Sequence, residues 1–436
     1  MKNKLFKSLS ILGATTLLAA CNFVSSTNAA KLLRDPKDAN APGQVSYAYN
    51  DYRDFREKLQ TFANKISESF VKREYKEGKN ITVSPISVEM CLGLAIRSTD
   101  SNTRKQILDA IGVDYETFNK FYAIYFRDLS RSGDGGEISL TNSIWIDNDI
   151  VLKDDGLDAL RDDYYCYSYE VDFDKAPKET AREVKKFVNE KTKGLINPDF
   201  EFDESTIFML MNTLYLKDIW NEEGLELSYA DKSYTFTNSD DSVSKKQLLQ
   251  GYYNDGRTLQ TEDYSSFYTS TQHGLSLHFV KPNDGKRAKD VFTKEAMDYV
   301  LDRGNYILKD DEKLERYHTN CIFPEYAADS DFDLIPMLLE DFKITDLFDP
   351  LRADFGPLTD DDAYVEEARH MAKLEVDKSG IKGAAVTYMA VCGSAGPGPE
   401  EYKDIYETFE VYKEFGFILT FGNAILFSGI VTNIDK

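Results

Sequence analysis

At 436 residues the chain can bury a large core, and no internal repeat or mid-chain low-complexity linker divides it. A hydrophobic content of 42% excludes a disordered class. The formal net charge of −23 argues against a nucleic-acid backbone as partner, because neutralising phosphates needs a basic face.

The first predicted element, residues 1–20, is a leader outside the fold. Lys2, Lys4 and Lys7 form a positive head, Leu9 to Ala20 an apolar core, and Leu18-Ala19-Ala20-Cys21 a small-residue cleavage site. The apolar run is short for a transmembrane span. Cysteine directly after the cut resembles a bacterial lipobox, which implies that Cys21 becomes a lipidated N-terminus. An ordinary signal peptide or a short anchor is the alternative. Residues 21–44, polar with Pro36 and Pro42, read as a flexible tether, and a single domain is expected over 45–436. Export and attachment to a membrane through the N-terminal lipid are expected. Asn22 is compatible with an outer membrane or cell surface, and the leaflet stays open.

Helical spacing opens the domain, with Phe55, Leu59, Phe62, Ile66 and Phe70 at three- and four-residue steps. A second helix is expected from about Ser87, with Val88, Cys91, Leu92 and Ala95 facing inward. Strands follow over 138–146 and 207–216, the latter so continuously apolar that both its faces should be covered. Near the C-terminus, Phe415–Phe421 and Ala424–Val431 read as strands joined by a Gly422-Asn423 hairpin turn. This mixture is an α+β fold.

Residues 375–399 combine two characters. Every second position from Ile381 is apolar or small: Ile381, Gly383, Ala385, Thr387, Met389, Val391 and Gly393. That alternation suits a strand with one buried face. Gly383, Ala384 and Ala385 are nevertheless poor strand formers, and Gly396, Pro397, Gly398 and Pro399 demand a loop. A segment able to be both suggests a switch hinged at Gly380, while a flexible surface loop is the plainer alternative.

Catalytic signals are missing. The four histidines, His273, His278, His318 and His370, form no His-Glu-x-x-His motif, and there is no Gly-x-Ser-x-Gly elbow or phosphate loop. Ser394 has no base near it in sequence, so a hydrolase is only a remote reading. Cys91, Cys166, Cys321 and Cys392 lack metal-ligand spacing, and no metal or cofactor is expected. Cys91, in an apolar helical run, reads as a buried packing residue. Cys392 lies in the candidate loop, where both an inert and a reactive thiol are open.

Ordered motifs connect these elements to a known family. Asn80-Ile-Thr-Val-Ser84-Pro85-Ile-Ser87 resembles the serpin signature Asn-x-x-x-Ser-Pro-x-Ser, and 187–196 resembles Val-Asn-x-x-Thr-x-Gly-x-Ile. Asn212-Thr-Leu-Tyr215-Leu-Lys217-Asp-Ile-Trp220 is similar to Asn-x-x-Tyr/Phe-x-Lys-Gly-x-Trp. Ile344 to Phe348, Ala353-Asp-Phe355 and His370 also fall where that family has counterparts. The resemblance implies three β-sheets, eight or nine surrounding helices and an exposed reactive-centre loop. It further implies a monomeric suicide-substrate inhibitor of serine, and second cysteine, endopeptidases, rather than an enzyme. A protease cuts the loop, and the freed segment inserts into the central sheet before the acyl-enzyme hydrolyses.

By the same resemblance, the hinge is Gly380, Ile381, Lys382, Gly383, Ala384, Ala385, Val386 and Thr387. Ser84, Ser87, Asn212 and His370 form the cluster where two strands part, with Trp220 at the top of that opening. On insertion Ile381 and its alternates would face the core and Lys382 would face out. The family's spacing puts the cleaved bond between Ser394 and Ala395, with Cys392 and Gly393 as neighbouring choices. Small residues there imply an elastase-like or subtilisin-like protease with a small primary pocket. The chain departs from the family at Lys378, Ile381, Gly383 and Glu414, where glutamate, threonine or serine, alanine and proline are usual. Lys378 and Gly383 keep open a non-inhibitory serpin acting as a surface binding or structural protein.

Overall fold

The computed structural model describes residues 29–36, 50–133, 136–203, 206–220, 227–306, 315–383 and 403–435. Helix α1 (Asn50–Glu74) buries the periodic stripe of Phe55, Leu59, Phe62, Ile66 and Phe70. Helix α2 (Pro85–Ser98) starts two residues before the expected Ser87. Ser84 occupies the N-cap and Pro85 the first helical turn, where a missing N–H costs no hydrogen bond. Nearly every side of α2 is buried, so its sequence shows little amphipathic contrast. Seven further helices lie among the described residues: α3 (Ser101–Ile111), α4 (Tyr115–Leu129), α5 (Asp154–Tyr164), α6 (Pro177–Lys191), α7 (Ala288–Val291), α8 (Lys294–Leu301) and α9 (Ile335–Glu340).

The strands form three sheets. The largest contains β1 (Ala30–Arg34), β3 (Arg131–Gly133), β4 (Gly136–Asp147), β5 (Cys166–Val171), β6 (Phe208–Ile219), β13 (Tyr326–Asp333), β14 (Arg369–Asp377) and β15 (Gly380–Gly383). Its order is β1-β5-β4-β6-β15-β14-β13, with β3 paired to β4. A second sheet runs β2 (Ile81–Val83), β18 (Ala424–Val431), β17 (Phe415–Phe421), β11 (Leu275–Pro282), β10 (Tyr264–Ser270) and β9 (Thr258–Gln260). The third runs β16 (Lys403–Glu410), β12 (Glu315–Phe323), β8 (Leu249–Tyr253) and β7 (Ser228–Tyr229). The α+β expectation holds. The C-terminal hairpin turns at Gly422 with φ +56°, a left-handed conformation that glycine adopts without steric cost.

The structure changes one expectation. The tether predicted over 21–44 is interrupted, because Ala30–Arg34 is a strand antiparallel to β5. Lys31 pairs with Glu170 at 2.9 Å, and Arg34 reaches Asp158 at 2.7 Å and Asp154 at 2.5 Å. Leu33 packs on the main core. The polar composition of the segment suggests a tether, but Lys31 and Arg34 find partners that the strand meets only in the fold. Strand β6, expected to be covered on both faces, has no exposed residue from 207 to 216. Its outer face is covered over the lower part, where Met209 and Met211 pack with Trp145, Phe187 and Val184 beneath α6. One edge, however, borders an opening.

Candidate functional site

The opening begins where β14 ends. Val376 pairs with Ile381 and Asp377 with Gly380 across a tight turn at Lys378-Ser379, so the chain reverses immediately into β15. On its other edge β15 pairs antiparallel with β6: Gly380 with Ile219, Ile381 with Asp218, Lys382 with Lys217 and Gly383 with Leu216. Thus the first four hinge residues already lie between β6 and β14. Glycine is required at 380, where φ is +151° and a Cβ would fall 2.0 Å from the Asp218 carbonyl oxygen. Ile381 is 1% exposed and Lys382 is exposed, which is the alternation the sequence suggests.

Several contacts hold this turn. The Asp377 carboxylate accepts the amides of Ser379 (2.6 Å) and Gly380 (3.2 Å), and Glu325 accepts that of Lys378 at 2.9 Å. Trp220 donates its indole N–H to the Asp377 carbonyl at 2.8 Å. The Lys378 ammonium lies 5.0 Å from the centroid of the Tyr229 ring, a cation–π contact that a glutamate could not make.

Gly383 is the last described residue of the ladder. A cavity of about 150 Å³ separates the lower part of β6 from that of β14, with Ser84, Ser87, Cys91, Asn212 and His370 on its walls. The Ser84 amide donates to His370 Nε2 at 3.1 Å, which leaves the ring proton on Nδ1. Burial lowers the His370 pKa to about 4, so the ring is neutral at physiological pH. Ser84 Oγ donates to Ser87 Oγ at 3.1 Å. Asn212 stands on the opposite wall and donates to Asn142 at 2.9 Å, while its own Oδ1 is buried with no partner among the described residues. Ser84, Ser87 and His370 therefore form one group, and Asn212 faces them across the gap. Cys91, expected to be a buried packing residue, lines the cavity and is partly buried; desolvation pushes its thiol up to about 12. Ala384, Ala385, Val386, Thr387, Cys392, Gly393, Ser394 and Ala395 lie outside the described residues, as does Cys21.

One polar group at the top of the opening escaped the sequence reading. Asp218, which stands where the signature has glycine, is buried beside the hinge. Its Oδ1 lies 2.6 Å from His273 Nδ1, and Oδ2 accepts the Thr271 hydroxyl. Burial raises the Asp218 pKa against these stabilising contacts. The signal that could have found it was the departure from the motif, together with one of only four histidines. This is no hydrolytic triad: the hydroxyl bonds the carboxylate rather than the imidazole. Among the described residues, no group of three or more His, Cys, Asp or Glu side chains converges as metal ligands. Among the described residues, the facing edges of β6 below Leu216 and of β14 below Glu375 have no strand paired between them, and the cavity lies there.

Glu414, replacing the usual proline, also has a task. It accepts Arg287 at 2.6 Å and the Ala288 amide at 3.0 Å, tying the approach to β17 to the start of α7.

The serpin (serine protease inhibitor) family model matches residues 57–434. Among curated relatives, Serpin-Z10 of Arabidopsis thaliana is 25% identical over 376 residues, 80% of this chain and 92% of the relative. Corticosteroid-binding globulin of Ovis aries is 25% identical over 334 residues, 74% of this chain and 73% of the relative. In the native state, the thermophilic serpin tengpin superposes with a TM-score of 0.70 at 18% identity, covering 93% of this chain and 100% of tengpin. The family consists mostly of protease inhibitors rather than enzymes, with some non-inhibitory members. With its three sheets, divided central sheet and matching family model, this chain belongs to the serpin family.

Proposed function

We propose that this protein is a suicide-substrate inhibitor of serine endopeptidases, with papain-like cysteine enzymes as a second class of target. The observation that carries the reading is β15, four residues of hinge lying in ladder register between β6 and β14, above the cavity that these two strands line. Continuing that register places Thr387 between Asn212 and His370, and Val391 opposite Phe208. The alternates Ala385, Thr387, Met389 and Val391 then face the core, where Ile381 already is.

In the reaction, the protease serine attacks the Ser394 carbonyl. The Ser394–Ala395 peptide bond breaks, the Ala395 amine leaves with a proton, and an ester joins the two proteins. The freed segment then completes the sheet. Each inserted residue gains two backbone hydrogen bonds worth roughly 1 kcal/mol apiece, against about 1–2 kcal/mol for ordering its backbone. These terms nearly balance, so burial of Met389 and Val391, at about 1.5–3 kcal/mol each, favours insertion. The uncut form is kinetically protected.

Small residues at the bond suit an elastase-like or subtilisin-like target. Incubation with elastase should yield a covalent complex that survives detergent and heat, and mass spectrometry of the released C-terminal peptide should locate the cut after Ser394. Cleavage without any such complex would favour the second reading, a non-inhibitory surface binding protein. The observation supporting that reading is Gly383, whose missing side chain weakens the strand where insertion must continue. The leader and Cys21 complete the proposal: a lipid-anchored protein at an outer membrane or cell surface.

A further inference from the structure

The position of β1 bears on where a trapped protease ends. Lys31, Glu170, Ile146 and Phe208 occupy one row across the central sheet. The hinge lies at the sheet's opposite end, since Gly380 pairs with Ile219, eleven residues along β6 from that row. At about 3.3 Å per residue, the two ends are about 36 Å apart. Because β1 is antiparallel to β5, its first residue, Ala30, lies at the end far from the hinge. The ion pairs of Lys31 and Arg34 hold it there.

We propose that trapping carries the protease to the membrane-facing end of the anchored inhibitor; this rests on the inhibitory reading and on lipidation of Cys21. In the register set by β15, Val391 reaches the row of Phe208 and Lys31, and Ser394 passes three residues beyond it. The acylated residue therefore arrives at the end from which the N-terminal segment leaves. Four strand spacings separate β1 from the vacancy, a lateral offset of about 19 Å. From Cys21 to Ala30 there are nine residue steps, which span at most about 32 Å. A protease of roughly 220 residues is about 45 Å across. It exceeds the leash, so the trapped enzyme is pressed beside the lipid surface. Before cleavage the hinge end is free to stand outward, and the net charge, −23 for the full sequence and more negative once Lys2, Lys4 and Lys7 leave with the leader, repels the body from an anionic leaflet.

The test uses the full lipidated chain in phosphatidylethanolamine/phosphatidylglycerol vesicles carrying an acceptor-labelled lipid, with donor-labelled elastase. Elastase lacking its nucleophilic serine reports the docked state, and active elastase reports the trapped state. Energy transfer to the bilayer should rise at least about threefold from docked to trapped, in step with a detergent-stable covalent band. Equal or lower transfer in the presence of that band overturns the inference alone. Absence of the band overturns the inhibitory reading beneath it. Exchanging Lys31→Glu and Arg34→Glu together should release β1 and lengthen the leash to the twenty-nine steps before α1, about 100 Å. The covalent band should then persist while transfer falls towards the docked value; unchanged high transfer would remove β1 from the explanation.

Discussion

Acidification from pH 7.5 to 4.5 should weaken the native state through His370. Its buried ring accepts the Ser84 amide in the neutral form, and burial lowers its pKa from 6.5 to about 4. An unfolded chain protonates this ring near pH 6.5, whereas the folded one resists until about pH 4. Between those values the unfolded state binds more protons. The stability that the neutral ring contributes is therefore present above pH 6.5 and is lost as pH falls towards the folded value. A gap of about 2.5 pH units, at about 1.4 kcal/mol each, amounts to roughly 3 kcal/mol, most of it gone by pH 4.5. Asp331 is the charged neighbour, and it opposes the effect of burial. His278 is fully buried and lowered to about 3, so it works in the same direction, and a single pH comparison would not isolate His370. The assay is a double difference: urea unfolding of wild type and His370→Gln at both pH values, followed by tryptophan fluorescence. Glutamine retains an acceptor for Ser84 but does not titrate. Wild type should lose about 2–3 kcal/mol more than the variant on acidification. An equal loss in the two proteins would refute the assignment of this linkage to His370.

Three further outcomes are expected. Gly380→Ala should expel β15, because the added Cβ meets the Asp218 carbonyl at a positive φ; strain of about 1–3 kcal/mol should appear as rapid amide exchange at Ile381 and Lys382, and unchanged protection there would show that the turn tolerates a side chain. Thr387→Arg should convert inhibitor to substrate, since a charge would have to be buried between Asn212 and His370; full trapping by this variant would disprove the register. The loop-cleaved protein should melt well above the intact one in calorimetry, and equal melting temperatures would mean that cleavage releases no stored free energy.

Much of the fold was legible because it follows from local periodicity. The stripe from Phe55 to Phe70, the Gly422-Asn423 hairpin and the alternation from Ile381 each repeat at the period of the element they form. Helix α2 was less legible, since burial on nearly every side erases the contrast that marks a helix face. The site was legible only in part. Ser84, Ser87, Asn212, Trp220 and His370 came from ordered motifs, whereas Asp218 and His273 are fifty-five positions apart and meet only across two sheets. Tyr229 and Lys378 are likewise brought together by folding.

By itself, the sequence determined the α+β class, the family resemblance and the two-faced character of the segment after Gly380, because these depend on residue type and short-range spacing. Tertiary structure decided how many of the described hinge residues lie in the central sheet and which strands line the cavity below them. It also turned residues 30–34 from tether into edge strand. The physical reason is the same in each case: β-ladders and ion pairs join residues distant in the chain, and their free energy depends on partners that local pattern does not reveal.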